Sequence, residues 1–188
     1  MSEGRARPSP YLLLALATLF WAGNIVIARA MRADIPPVAM AFWRWTIAFA
    51  VVMPFAFRTL VRHRAVLRRS WRLLFLLGGL GVASYNTMCY IALQTTTATN
   101  GTLFNSLIPV LIVPIAWLVL RERIRPLQGL GVALSLAGVV VIVARGDLAT
   151  LRNLTFNAGD FWLLGAMILW AFYTVALRFK PHELDTLP

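Results

Sequence analysis

Long apolar stretches constrain this sequence more than any other feature. Six of them can be read along the chain, at residues 11–31, 37–57, 72–93, 99–120, 126–144 and 160–179. A helix needs about 20 apolar residues to cross about 30 Å of hydrocarbon, whereas tilted barrel strands are half as long and alternate polar and apolar side chains. The sequence therefore predicts an all-α membrane protein, built as a polytopic helix bundle.

The composition supports the same environment and excludes several functions. Hydrophobic residues make up 60% of the chain and charged residues 13%, whereas soluble domains are about half apolar and a quarter charged. The net charge of +11 does not indicate nucleic-acid binding, because the basic residues lie in short segments between the apolar stretches. With Cys89 as the one cysteine and only His63 and His182 as histidines, we expect no metal and no cofactor.

The spans also lack the residues of an intramembrane enzyme, which needs a convergent nucleophile and base or a metal. The aspartates and glutamates near them lie at edges or in loops, so we expect neither catalysis nor a proton site in this part of the protein. These edge and loop carboxylates are Asp34, Asp147, Asp160, Glu183 and Asp185.

Basic residues are distributed unevenly between the two sides of the predicted bundle. If the N-terminus is cytoplasmic, the cytoplasmic segments hold thirteen Arg and Lys residues and the opposite side four. The positive-inside rule then predicts a cytoplasmic N-terminus. A cleaved signal peptide is the alternative for the first span, but that span is longer than a normal signal and contains Trp21 and Asn24.

A weak internal repeat relates the first and sixth spans. Residues 20–29 (FWAGNIVIAR) can be laid over residues 169–178 (LWAFYTVALR), and Trp, Ala, Val and Arg coincide. Five spans separate the starts of the two units, so the second enters the membrane in the opposite direction. This arrangement is typical of inverted-repeat transporters.

A series of short motifs runs in order along the chain. They are residues 19–24 (LFWAGN), 35–37 (IPP) with 42–44 (FWR) and Pro54, 92–97 (ALQTTT) with 105–109 (NSLIP), and 121–123 (RER) with 128–131 (QGLG) and 138–139 (GV). In order and spacing they resemble the EamA-type family of the drug/metabolite transporter superfamily. Arg121 stands where that family usually has glycine.

The resemblance implies ten helices in two inverted five-helix repeats around a central cavity. Residues 1–10 would be a cytoplasmic tail, 11–144 the first repeat, 145–158 an extracytoplasmic loop, and 159–188 the first helix of an incomplete second repeat. The chain is thus expected to be truncated, to leave the last helix without its partners, and not to transport by itself.

The function implied is secondary transport, with export favoured, of a small metabolite or xenobiotic by alternating access in a bacterial inner or plasma membrane. The expected partners are a small-molecule substrate and the lipid bilayer, and a homodimer is left open. The alternative is a non-transporting membrane scaffold. A polar, water-accessible cavity lined by the first, third, fourth and sixth spans would favour transport over a scaffold.

Polar and aromatic residues inside the spans are the candidates for substrate binding. Arg44, about 10 Å along its helix, could anchor an anionic group, or could bond neighbouring carbonyls or reach the interface. The other candidates could line a pathway, or could serve helix packing and compensate nearby prolines. They are Trp21, Asn24, Tyr85, Asn86, Asn105, Ser106, Trp170 and Tyr173. Gly131, Ser135 and Gly138 form a stripe predicted to serve close helix packing.

Overall fold

The structure is a computed structural model that describes residues 9–121, 126–144 and 157–184. These residues are almost entirely helical, and no strand occurs among them, which confirms the predicted all-α class. The helices are α1 (Pro10–Ala30), α2 (Pro37–Arg62), α3 (Arg64–Arg69), α4 (Trp71–Leu77), α5 (Tyr85–Thr95), α6 (Ala98–Asn105), α7 (Ile108–Leu120), α8 (Pro126–Ala144) and α9 (Ala158–Ala176). A π-helical segment, Gly78–Ser84, joins α4 to α5, and short 3₁₀ turns lie at Met31–Ala33, Leu177–Phe179 and His182–Leu184.

Five helical runs in the described ranges are long and apolar enough to cross a membrane. They are Pro10–Ala33, Pro37–Arg62, Trp71–Thr95, Leu103–Leu120 and Ala158–Phe179. The fifth predicted stretch, 126–144, forms α8, of which Pro126–Gly138 is a shorter apolar helix. Most of the predicted loop 145–158, most of the N-terminal tail 1–10, and Glu122 of the RER motif lie outside the described residues.

Local sequence sets the helix ends. Proline occupies the first helical turn of α1, α2 and α7, where its missing N–H costs nothing. Helix α7 ends at Leu120, because the capping residue Arg121 has a left-handed backbone with a φ of 54°. Helix α2 runs past its predicted end at residue 57 and continues to Arg62. The apolar stretch ends at residue 57, but the residues that follow it can continue the helix.

Helix α9 lies at the centre of the bundle and packs against α5 and α7. Leu163, Ala166 and Met167 are at most 1% exposed. Gly159 lets α9 approach α5 closely, because a Cβ there would lie 2.5 Å from the backbone carbonyl oxygen of Ala92. The expectation that the last helix would lack its partners is therefore wrong: it packs against spans of the first repeat, whatever else surrounds it in a longer protein.

The glycine stripe of α8 does not behave as predicted. A Cβ built at Gly131 or Gly138 would meet nothing within 4 Å. Among the described residues, no neighbouring helix reaches either glycine of the stripe, and α8 contacts the bundle mainly through α7. The expected close packing at the stripe is thus not found.

Candidate functional site

A cavity of about 310 Å³ lies between α1, α2, the π-helical segment, α5 and α9. It sits near mid-length of the spans that line it, the depth at which transporters of the inverted-repeat type bind solutes. Seven of the nine predicted site residues line it: Trp21, Asn24, Arg44, Tyr85, Asn86, Trp170 and Tyr173. The structure therefore brings together residues that are far apart in the sequence.

Aromatic rings form one wall of this cavity. Trp170 is at its centre, with ring centroids 5.6 Å from Trp21, 4.5 Å from Tyr85 and 5.0 Å from Tyr173. The tryptophans that occupy equivalent positions in the internal repeat thus meet directly.

The π-helical segment makes room for this wall. A Cβ built at Gly81 would lie only 2.7 Å from the Tyr173 ring, so only glycine allows the ring to approach the backbone this closely. The wider turn leaves carbonyl groups for other donors. The Asn86 side chain is such a donor, because its Nδ2 donates to the carbonyl oxygens of Gly81 and Val82, each at 3.1 Å.

Arg44 belongs to a polar network that joins three spans. Its Nη1 donates to Asn86 Oδ1 at 2.5 Å and to the Tyr90 hydroxyl at 3.1 Å. The Tyr90 hydroxyl in turn donates to Asn24 Oδ1 at 2.8 Å. The guanidinium carbon lies 5.1 Å from the centroid of the Trp45 ring. Arg44 therefore has side-chain partners rather than the backbone carbonyls of the structural alternative, and its role in binding a solute stays a prediction.

The last two predicted site residues lie elsewhere. Asn105 accepts a hydrogen bond from the Tyr85 hydroxyl at 3.3 Å and lines a neighbouring space of about 20 Å³, large enough only for a water molecule. Ser106 donates to the carbonyl of Leu103 at 2.6 Å and lines neither space. Its hydroxyl bonds the last turn of α6, and its role in binding a solute stays a prediction.

Tyr90 was missed by the sequence analysis although it connects the network. It is 2% exposed and bridges Arg44 to Asn24. The available signal was its spacing of four residues from Asn86, which places both on one face of α5. A tyrosine in an apolar span is, however, equally consistent with simple packing.

A second cluster, around Asp160, lies at the end of the bundle where α1 ends and α9 begins. Asp160 is 5% exposed and its Oδ1 accepts from the Thr96 hydroxyl at 2.8 Å and from Asn100 Nδ2 at 3.4 Å. Its Oδ2 and the Asn157 side chain form a reciprocal capping box at the start of α9. Asp160 thus lies at the edge of its span, as expected, but it is buried.

Arg29 joins two spans at the same end of the bundle. Its Nη1 donates to the carbonyls of Leu93 and Gln94, at 2.5 and 3.0 Å, in the last turn of α5. These carbonyls have no helical partner of their own. Arg29 and the Asp160 cluster therefore hold α1, α5, α6 and α9 together at this end. No group of three His, Cys, Asp or Glu side chains that could hold a metal occurs in the part of the chain that the structure describes.

Comparison with known proteins shows which sequences this chain resembles. The model of the EamA-like transporter family matches residues 8–144. A protein of Archaeoglobus fulgidus described as an uncharacterized transporter is 32% identical over 167 residues, which are 88% of this chain and 56% of that protein. The uncharacterized transporter YyaM of Bacillus subtilis is 26% identical over 168 residues, 89% of this chain and 55% of that protein.

The chain spans about half the length of the curated relatives that it matches. No solved structure shows significant similarity to it. The family match covers most of the chain, and the apolar helices and the relatives agree with it. The chain is an integral membrane protein that belongs to the EamA-like transporter family.

Proposed function

We propose that this chain forms part of a secondary transporter that exports a small metabolite or xenobiotic by alternating access, with the central cavity as its solute site. The observation that carries the proposal is the cavity itself. Its walls come from the first and sixth spans, which the internal repeat relates, and it lies near the middle of both. A solute site between two inverted repeats occupies this position.

The size and lining of the cavity favour transport over a scaffold. A volume of about 310 Å³ is at the lower end of the range, about 300–1,000 Å³, of small-molecule sites. Asn24, Arg44 and Asn86 place polar groups beside aromatic rings in this space. Polar groups at that depth need hydrogen-bond partners. A scaffold would not require such groups around a cavity.

Hydrogen bonds at one end of the bundle support the proposal of alternating access. Arg29 bonds the end of α5, and Asp160 bonds Thr96. With the cytoplasmic N-terminus that the arginine distribution predicts, this is the extracytoplasmic end. A transporter closed there can load solute from the cytoplasm, and release to the outside would require these bonds to break. Export in the proposed direction would use these steps in this order.

A cavity-filling variant tests the pathway. Ala17 lines the cavity on α1, whereas Ala50 is exposed on α2 away from it. We expect Ala17→Trp to abolish solute flux and Ala50→Trp to retain it. The protein expressed from its complete gene would be reconstituted in liposomes, and counterflow of a panel of small radiolabelled solutes measured. Equal flux from the two variants would show that solutes do not pass through this cavity.

A further inference from the structure

We propose that the solute taken by this cavity is an organic anion, whose carboxylate pairs with Arg44 and whose apolar part lies against the aromatic wall. The inference rests on the proposed function of the cavity as a solute site. It adds the chemical class of the solute.

The charge of the cavity is the first reason. Among the described residues that line it, Arg44 is the one ionisable cation and none is an aspartate or glutamate. The partners of its guanidinium, Asn86 and Tyr90, are neutral. An arginine without a counter-ion at this depth is costly. A bound anion would remove that cost, so binding of an anion is favoured over binding of a neutral or cationic solute.

The donors of Arg44 give the second reason. A guanidinium carries five N–H donors, and both recorded hydrogen bonds of Arg44 come from Nη1. The edge formed by Nε and Nη2 has no hydrogen-bond partner within residues 9–121, 126–144 and 157–184. Two parallel donors on one such edge match the two oxygens of a carboxylate. The network therefore leaves free the edge that recognises carboxylates.

The same network holds the guanidinium in place before any solute binds. Asn86 and Tyr90 receive both protons of Nη1, and Tyr90 is itself fixed by its bond to Asn24. Tyr90 is almost fully buried, so this bridge is protected from water. A donor that is already oriented loses little conformational entropy when a ligand binds.

The other lining residues indicate what kind of body the carboxylate-bearing solute has. Rings of Trp21, Tyr85 and Trp170 form a continuous surface beside Arg44. Such a surface suits an aromatic or apolar body. One cation suits a single negative charge better than the two charges of a phosphate dianion. The cavity thus fits a small amphipathic monocarboxylate.

Two matched probes test this class. The protein expressed from its complete gene would be placed in nanodiscs of neutral lipid, so that the basic segment 58–72 attracts no anionic headgroups. Isothermal titration calorimetry would compare 3-phenylpropionate with 3-phenylpropionamide, which differ in charge but have the same body. We expect the acid to bind roughly ten- to a hundredfold more tightly, the range expected for hydrogen bonds to a charged group.

Variants then assign the preference to Arg44. We expect Arg44→Gln to abolish the preference for the acid and Arg44→Lys to retain part of it, because lysine keeps the charge but lacks the two-donor edge. Arg72→Gln is the matched control, since Arg72 is exposed and lies outside the cavity. An unchanged preference in Arg44→Gln would overturn the assignment to this residue.

The wild-type comparison requires no variant to fold, so it decides the class by itself. Equal affinity for the acid and the amide would overturn the inference while leaving a solute site in place. Absence of binding by both probes would count against the cavity as a solute site, and so against the proposed function too. Acid-selective binding without flux in the liposome assay would support the inference and reject transport.

Discussion

Removal of one hydroxyl tests whether the polar network holds the spans together. In the structure the Tyr90 hydroxyl accepts from Arg44 and donates to Asn24, so it links α5 to both α2 and α1. Tyr90→Phe deletes both bonds and leaves the ring in place. Because Tyr90 is 2% exposed, bulk water does not directly replace the lost hydroxyl.

The size of the effect follows from these two bonds. Interhelical hydrogen bonds between side chains in membrane proteins contribute about 0.6 kcal/mol on average and about 1.7 kcal/mol at most. Two bonds give about 1.2 kcal/mol, with an upper limit of about 3.4 kcal/mol. The bond from Arg44 is charge-assisted, which raises its contribution, but the groups left behind face the cavity and can be partly solvated. We therefore expect the free energy of unfolding to fall by about 1–3 kcal/mol.

Reversible unfolding in mixed micelles, titrated with sodium dodecyl sulfate and followed by far-ultraviolet circular dichroism, measures this loss. Tyr11→Phe is the matched control, because Tyr11 is 84% exposed near the start of α1. We expect the control to change the unfolding free energy by less than about 0.5 kcal/mol. A loss equally small in Tyr90→Phe would refute the view that this bridge contributes to stability.

Three further predictions concern other parts of the bundle. Asp160→Ala removes the bond from Asn157 N–H to the Asp160 side chain, which is one half of the capping box, and the bond from Thr96. It should lower the unfolding free energy by about 1–3 kcal/mol. Exposed Asp34→Ala should have almost no effect, and equal values for the two would contradict the role of the buried carboxylate. Gly81→Ala should lower the free energy of unfolding by about 1–3 kcal/mol, because the added methyl group overpacks against the Tyr173 ring. Gly79→Ala, which has open space around it, should leave stability unchanged, and an equal thermal shift in both variants would count against the close contact. A single cysteine at position 65 of a cysteine-free variant should react with a membrane-impermeant maleimide only in everted vesicles, and labelling in intact cells would reject the cytoplasmic N-terminus.

The membrane class, the positions of the spans and the family could be predicted from the sequence, because each depends on local or serial properties. An apolar run of sufficient length must be helical in a bilayer, whatever it packs against. The prolines that open α2 and α8 mark helix starts for the same local reason. The end of α2 was placed too early because hydropathy marks where hydrocarbon ends, whereas a helix of exposed arginines can continue beyond it.

The repeat also indicated that Trp21 and Trp170 are equivalent, and the structure shows that they touch. That contact depends on the path of α9 through the first repeat, which no local pattern contains. The glycine stripe of α8 gives the opposite case, since small residues at helical spacing predicted a packed face that no described helix covers.

Two residues show what only the tertiary structure decided. In the sequence, Tyr90 could not be told from an ordinary packing residue, and Asp160 was placed only at the edge of its span. Their burial and partners arise because α5 lies between α1 and α2, and because the α5–α6 turn covers the first turn of α9. The free energy of a polar group in a membrane protein depends on which neighbours satisfy it, and those neighbours are chosen by packing between segments distant in the sequence.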